Sequence, residues 1–225
     1  MNTEHIEIIT EEPSAPSRWN GLKTRVLSGV LLALAAIAIL YHGGWIFIFF
    51  ILLAALMMMR EWNTLTENYG PGWRSAGLLY TALPCASLIW LRALDIPDTE
   101  RSGMKLVFFL MLCVWATDIG AYFAGRQIGG PKLAPAISPN KTWAGLAGGM
   151  VAAAMVAMIC HGFCPFPATL LGSIAMGMAL AVIAQAGDLF ESWMKRRANV
   201  KDSGTLIPGH GGLLDRIDGL TFTTP

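Results

Sequence analysis

Residues 26–59 read VLSGVLLALAAIAILY-HGG-WIFIFFILLAALMMM, thirty-four positions without a single Asp, Glu, Lys or Arg. A bilayer's hydrocarbon core, about 30 Å thick, is crossed by about 20 apolar helical residues, so two runs near that length joined by His42, Gly43 and Gly44 make a helical hairpin through a membrane. Arg18, Lys23 and Arg25 ahead of the first run resemble the start of a secretory signal. The direct continuation into a second run favours an uncleaved first span instead.

Outward from this hairpin the pattern repeats. Further apolar runs cover 77–92, 105–124, 144–162 and 168–190, and a seventh begins near 213 and reaches the C-terminus, as a short or partial helix or as the start of a span continuing past Pro225. Across 225 residues the chain is 54% hydrophobic and only 14% charged, against about 25% charged in soluble domains, and its mean hydropathy is +0.52. The expected fold is all-α, a polytopic membrane bundle of six to seven transmembrane helices. Residues 1–17, acidic and broken by Pro13 and Pro16, read as a disordered tail. Residues 18–225 read as one integral-membrane domain, without internal repeats or low-complexity tracts. Cys85, Cys113, Cys160 and Cys164 sit in or beside apolar runs and read as core thiols, Cys160-His161-x2-Cys164 lacking a second ligand cluster.

Charge sets an orientation. With the N-terminus inside, 13 of the 16 basic residues fall on the cytoplasmic side, and only Arg92, Arg101 and Lys105 face outward. The positive-inside rule then places the loops 125–143 and 191–212 in the cytoplasm, under an inner-membrane bundle.

The chemistry-bearing residues gather in the second half. Asp118 lies 13 residues past Lys105, about 20 Å into the fourth span, where a carboxylate faces a cavity or a cation, or pairs with a residue such as Arg126. Tyr122 and Arg126 follow on the same helical end. Ser138-Pro-Asn-Lys141-Thr142 precedes the fifth run, either as an anion site at a helix N-terminus or as an ordinary cap with a topology lysine. Asp188, Ser192 and Lys195 share one face of the sixth helix, with Glu191 beside them. Lys195, Arg196, Arg197 and Lys201 either bind phosphates or anchor the helix to lipid headgroups. Gly204–Gly212 permits close backbone approach, and Asp215 and Asp218 follow one turn apart. Carboxylates at Asp188, Asp215 and Asp218 suit Mg2+, which takes one or two of them and fills its other positions with water and phosphate; pairing with nearby Arg and Lys is the alternative.

The segment from Ser192 to Asp218 resembles, without a gap, the signature of the phosphatidate cytidylyltransferase (CDP-diacylglycerol synthase) family. Upstream blocks are similar too: Asp118-x2-Ala121-Tyr122-x2-Gly125-Arg126, Ile137-Ser138-Pro139-x-Lys141-Thr142, and Gly187-Asp188-Leu189-x-Glu191-Ser192. Together they span about residues 115–222, and Ala144 stands where that family usually carries Glu. The resemblance implies cytidylyl transfer from CTP to phosphatidic acid in phospholipid biosynthesis, with Mg2+ and room for a second, monovalent cation. It implies Asp188, Asp215 and Asp218 at the metal. Lys195, Arg196, Lys201 and Arg216 would serve catalysis, and His210 either donates to the leaving pyrophosphate or caps the glycine turn. Asp118, Tyr122, Arg126, Ser138, Lys141, Thr142 and Ser192 would bind substrate. A homodimer in the lipid bilayer is implied, and no nucleic-acid partner is expected. The competing readings are a CTP-dependent kinase of a polyprenol-type lipid, which needs a base for a hydroxyl, and an ion or solute transporter lined by Asp118 and Asp188.

Overall fold

The computed structural model describes residues 18–97, 99–164, 169–204 and 211–225; the expected tail and His210 lie outside them. Among the described residues seven helices form: α1 (Arg18–His42), α2 (Gly44–Leu65), α3 (Pro71–Ala93), α4 (Ser102–Gln127), α5 (Trp143–Cys160), α6 (Leu170–Arg197) and α7 (Leu214–Thr223). The helices α2 to α6 are each long and apolar enough to cross a membrane, and α1 adds a shorter apolar stretch, Leu27–His42. The chain is a multi-pass helical membrane bundle. The 10 residues of α7 cover about 15 Å.

Small residues explain the central packing. Without a hydrophobic force between helices in lipid, association depends on close backbone approach. A Cβ on Gly120 of α4 would lie 2.6 Å from the carbonyl oxygen of Gly148 in α5, and one on Gly177 of α6 would lie 2.6 Å from that of Ala153 in α5. The resulting core holds Phe109, Cys113, Ala153, Ala157, Cys164 and Ala181. All four cysteines are free thiols, and Cys85, Cys113 and Cys164 are buried. His161 bonds through Nδ1 to Ser173 Oγ at 2.9 Å.

Two features position the functional end. The segment expected as a plain loop between α4 and α5 contains a two-stranded antiparallel sheet, β1 (Lys132–Ala134) with β2 (Ser138–Thr142), in register Lys132 to Thr142 and Ala134 to Ser138. Pro135 and Pro139 obscure its alternation, and such prolines are tolerated because a two-stranded sheet has only edge strands. Meanwhile Gly187 of α6 lets α7 dock: a Cβ there would meet the backbone oxygen of Asp218 at 2.6 Å. Tyr80 of α3, Phe190 of α6 and Phe222 of α7 close that junction with ring centroids 5.4–6.2 Å apart.

Candidate active site

Two acidic clusters meet where α2 and α6 end and α7 begins. The first is closed. Lys195 Nζ donates to Asp215 Oδ1 at 2.6 Å and to Glu191 Oε1 at 3.1 Å. Asp215 Oδ2 accepts from the backbone N–H groups of Ser203 and Gly212, each at 2.9 Å, and lies 3.0 Å from Ser203 Oγ. Glu61, near the end of α2, reaches across the bundle to the same loop: Oε1 accepts from Leu213 N at 2.8 Å, and Oε2 from Leu214 N at 2.9 Å. It thereby satisfies amide donors that every helix N-terminus leaves open, and its charge suits the positive end of α7. Ser203 Oγ, 3.2 Å from Glu61 Oε2, ties the two carboxylates together. Glycine is required beside them, because a Cβ on Gly212 would lie 2.6 Å from Glu61 Oε2 and one on Gly204 2.9 Å from Oε1.

Burial works to raise the Asp215 carboxyl, but its contacts with Lys195, Glu191 and the N–H groups of Gly212 and Ser203 outweigh this and hold it down at about 2. The group is ionised at any ordinary pH. Its contribution to stability is present above the usual carboxylate range and fades only as pH falls through about 2.

The second cluster is open and overcharged. Lys141, at the end of β2, forms an ion pair with Asp188 Oδ2 at 2.5 Å, and Ser192 Oγ donates to Asp188 Oδ1 at 3.3 Å. Asp118 and Asp218 stand close enough to feel the charges of Asp188 and Lys141. Asp218 Oδ1 accepts from Gly219 N at 2.7 Å. Burial first, then Asp188 and Asp118, push the Asp218 carboxyl up to about 7 against the pull of Gly219 N–H and Lys141. Of these carboxylates only Asp188 is paired with the Lys141 ammonium, and the charges of Asp118 and Asp218 add to that of Asp188.

The expected grouping of Asp188, Asp215 and Asp218 around one ion is not what the chain adopts. Asp188 and Asp218 come together, joined by Asp118, whereas both oxygens of Asp215 are engaged by Lys195 and the glycine loop. Among the described residues no group of three His, Cys, Asp or Glu side chains is gathered into a metal-holding set. Two hard carboxylates with excess negative charge nevertheless fit a Mg2+ that arrives with phosphate oxygens and water as its other ligands.

The remaining expected residues fall into place around these clusters. Thr142 is buried and serves as the cap of α5, its hydroxyl accepting from Gly145 N at 3.0 Å. Arg126 donates to Tyr122 OH at 2.7 Å and forms no ion pair with Asp118. Ser138 is half-buried in β2, while Arg196, Lys201 and Arg216 are exposed. Arg197 lies over the rings of Tyr69, Trp73 and Trp193 at 5.4–5.8 Å. Sequence reasoning missed Glu61 and Ser203. A glutamate at the edge of the apolar run Leu52–Met59 was the available signal, since such a charge needs a partner.

A sequence profile described as the cytidylyltransferase family matches residues 72–225. The chain is 40% identical over 220 residues to a phosphatidate cytidylyltransferase of Brucella suis, covering 98% of this chain and 76% of that one. Its identity to the enzyme of the same name from Rickettsia felis is 38% over 209 residues, 89% of this chain and 88% of the other. With that of Bacillus subtilis it is 36% over 175 residues, 78% and 65% respectively.

Proposed function

This chain belongs to the cytidylyltransferase family, and from that membership we propose that it is a phosphatidate cytidylyltransferase, making CDP-diacylglycerol and pyrophosphate from CTP and phosphatidic acid. The observation that supports the site is the Lys141–Asp188 ion pair, with Asp118 and Asp218 near enough to add their charge, and with the exposed cations Arg196, Lys201 and Arg216.

A phosphate oxygen of phosphatidic acid attacks the α-phosphorus of CTP. A new P–O bond forms there, the bond to the β-phosphate bridging oxygen breaks, and the electron pair leaves on pyrophosphate. Phosphate monoesters have a second pKa near 6, so the attacking dianion exists at neutral pH and no side chain has to remove a proton. The protein's work is to position two polyanions and offset their charge.

Asp188 and Asp218 would hold Mg2+, which supplies charge neutralisation on the triphosphate. Lys141, beside Asp188, would take a phosphate oxygen of the substrate. Ser192 orients Asp188, and Arg196, Lys201 and Arg216 meet the remaining phosphate charge. The closed cluster holds Ser203, Gly212 and the start of α7, and so supports the helix on which Asp218 stands. Asp215 acts in that brace.

The positive-inside distribution supports a cytoplasmic N-terminus and cytoplasmic site in an inner membrane, and labelling Asn140→Cys and Asn199→Cys chains with an impermeant thiol reagent checks it. The homodimer that the family resemblance implies is checked by sedimentation in detergent. CTP labelled at the α- or γ-phosphate tests the reaction itself. α-Label in lipid is the expected result; γ-label in lipid would mean a lipid kinase, and neither would mean a carrier.

A further inference from the structure

On the α2 turn that carries Glu61, residues of α2 and α3 line a shallow, open groove of about 610 Å³. Its α2 wall is one helical stripe at spacings of three and four, Leu56, then Met59 and Arg60, then Asn63 and Thr64, and Glu67 follows in the turn after α2. From α3 comes Arg74, in the first turn of a helix whose N-cap, Gly70, offers no side-chain cap. Arg60, Arg74 and Glu67 are exposed, and none of them forms an ion pair among the described residues. Two guanidinium groups thus stand in one groove against a single carboxylate.

The order along the stripe is that of a phospholipid. Leu56 and Met59 lie on the bilayer side, and the polar and charged residues follow about one to two turns on, toward the end of the bundle that carries the acidic clusters. Guanidinium forks match phosphate oxygens in pairs. We propose that this groove binds an anionic phospholipid of the surrounding leaflet, its phosphate between Arg60 and Arg74 and one acyl chain along Leu56 and Met59. The site is separate from the carboxylates of the proposed reaction and does not depend on that reading.

An Asn63→Cys chain bearing an environment-sensitive fluorophore at that position, in neutral detergent, reports occupancy on titration with phosphatidylglycerol, phosphatidylcholine or inorganic phosphate. Phosphatidylglycerol should saturate the signal while the other two leave it unchanged. Because each basic residue at a membrane surface contributes about 1 kcal/mol, removing one arginine as Arg60→Ala should weaken binding about fivefold. Arg60→Ala with Arg74→Ala should weaken it roughly 25-fold. Glu67→Gln should tighten it, a gain that no folding defect imitates, and cytidylyl transfer at saturating substrate should be unaltered in all three variants. An equal response to phosphatidylcholine, a response to inorganic phosphate alone, or unchanged affinity in the double variant overturns the proposal.

Discussion

The cluster built on Glu61, Lys195 and Asp215 and the cluster built on Asp118, Asp188, Asp218 and Lys141 lie at one end of the bundle and draw on the same kinds of side chain, yet they are built for opposite purposes. In the first, hydrogen bonds leave little of Asp215 and Glu61 for a ligand to take: Asp215 accepts from an ammonium and two amides, Glu61 from two amides, and the single hydroxyl of Ser203 lies between them. In the second, one carboxylate, Asp188, holds the ammonium of Lys141, and burial, then the charges of Asp188 and Asp118, raise Asp218 to about 7. Carboxylates tied to backbone amides resist change and hold the backbone. An undersatisfied one invites a cation. The lesson is that carboxylates near a family signature divide by what already occupies their oxygens, not by their spacing in the chain.

That contrast can be broken at several points. Glu61→Ala should cost the most, about 3 kcal/mol of stability, because it strands the buried amides of Leu213 and Leu214; thermal unfolding in detergent measures it, and an unchanged melting temperature would remove the brace from the account. Asp188→Asn should leave melting nearly unchanged while lowering cytidylyl transfer by more than a hundredfold, roughly 2.7 kcal/mol. Lys141→Ala should lower transfer by about tenfold, or ~1.4 kcal/mol, with the fold intact. Activity within about twofold of the parent would make Lys141 a topology lysine only. Arg197→Ala, outside both clusters, should cost ~1 kcal/mol of stability from its lost ring contacts and nothing in kcat.

The spans were legible because an apolar run of about 20 residues has one common use. The expected starts and ends of α2 to α5 lie within several residues of the helices found, while α6 runs on to Arg197, seven residues past the expected 190, since its last turns are amphipathic and carry no hydropathy signal. The motif positions were legible as well, but their grouping was not. Spacing of i and i+3 put Asp215 and Asp218 together. Only the folded loop reveals that Ser203 and Gly212 claim one of them. Glu61 lies more than 140 positions from its partners, a pairing no local pattern encodes. The basic run was misleading for a related reason: successive helical residues point about 100° apart, so Lys195 enters the closed cluster, Arg196 faces outward, and Arg197 settles on three aromatic rings.

The division of labour between the clusters is tested most directly by Asp215→Asn and Asp218→Asn side by side, each measured for melting temperature and for transfer of α-labelled CTP into lipid across a range of Mg2+. Asp218→Asn should melt with the parent, lose transfer by more than a hundredfold, about 2.7 kcal/mol, and lose much of its response to Mg2+; Asp215→Asn should melt lower, and what remains folded should keep the parent's Mg2+ dependence. An Asp218→Asn chain that stays fully active at low Mg2+, or an Asp215→Asn chain that melts normally but no longer responds to the metal, would contradict the assignment.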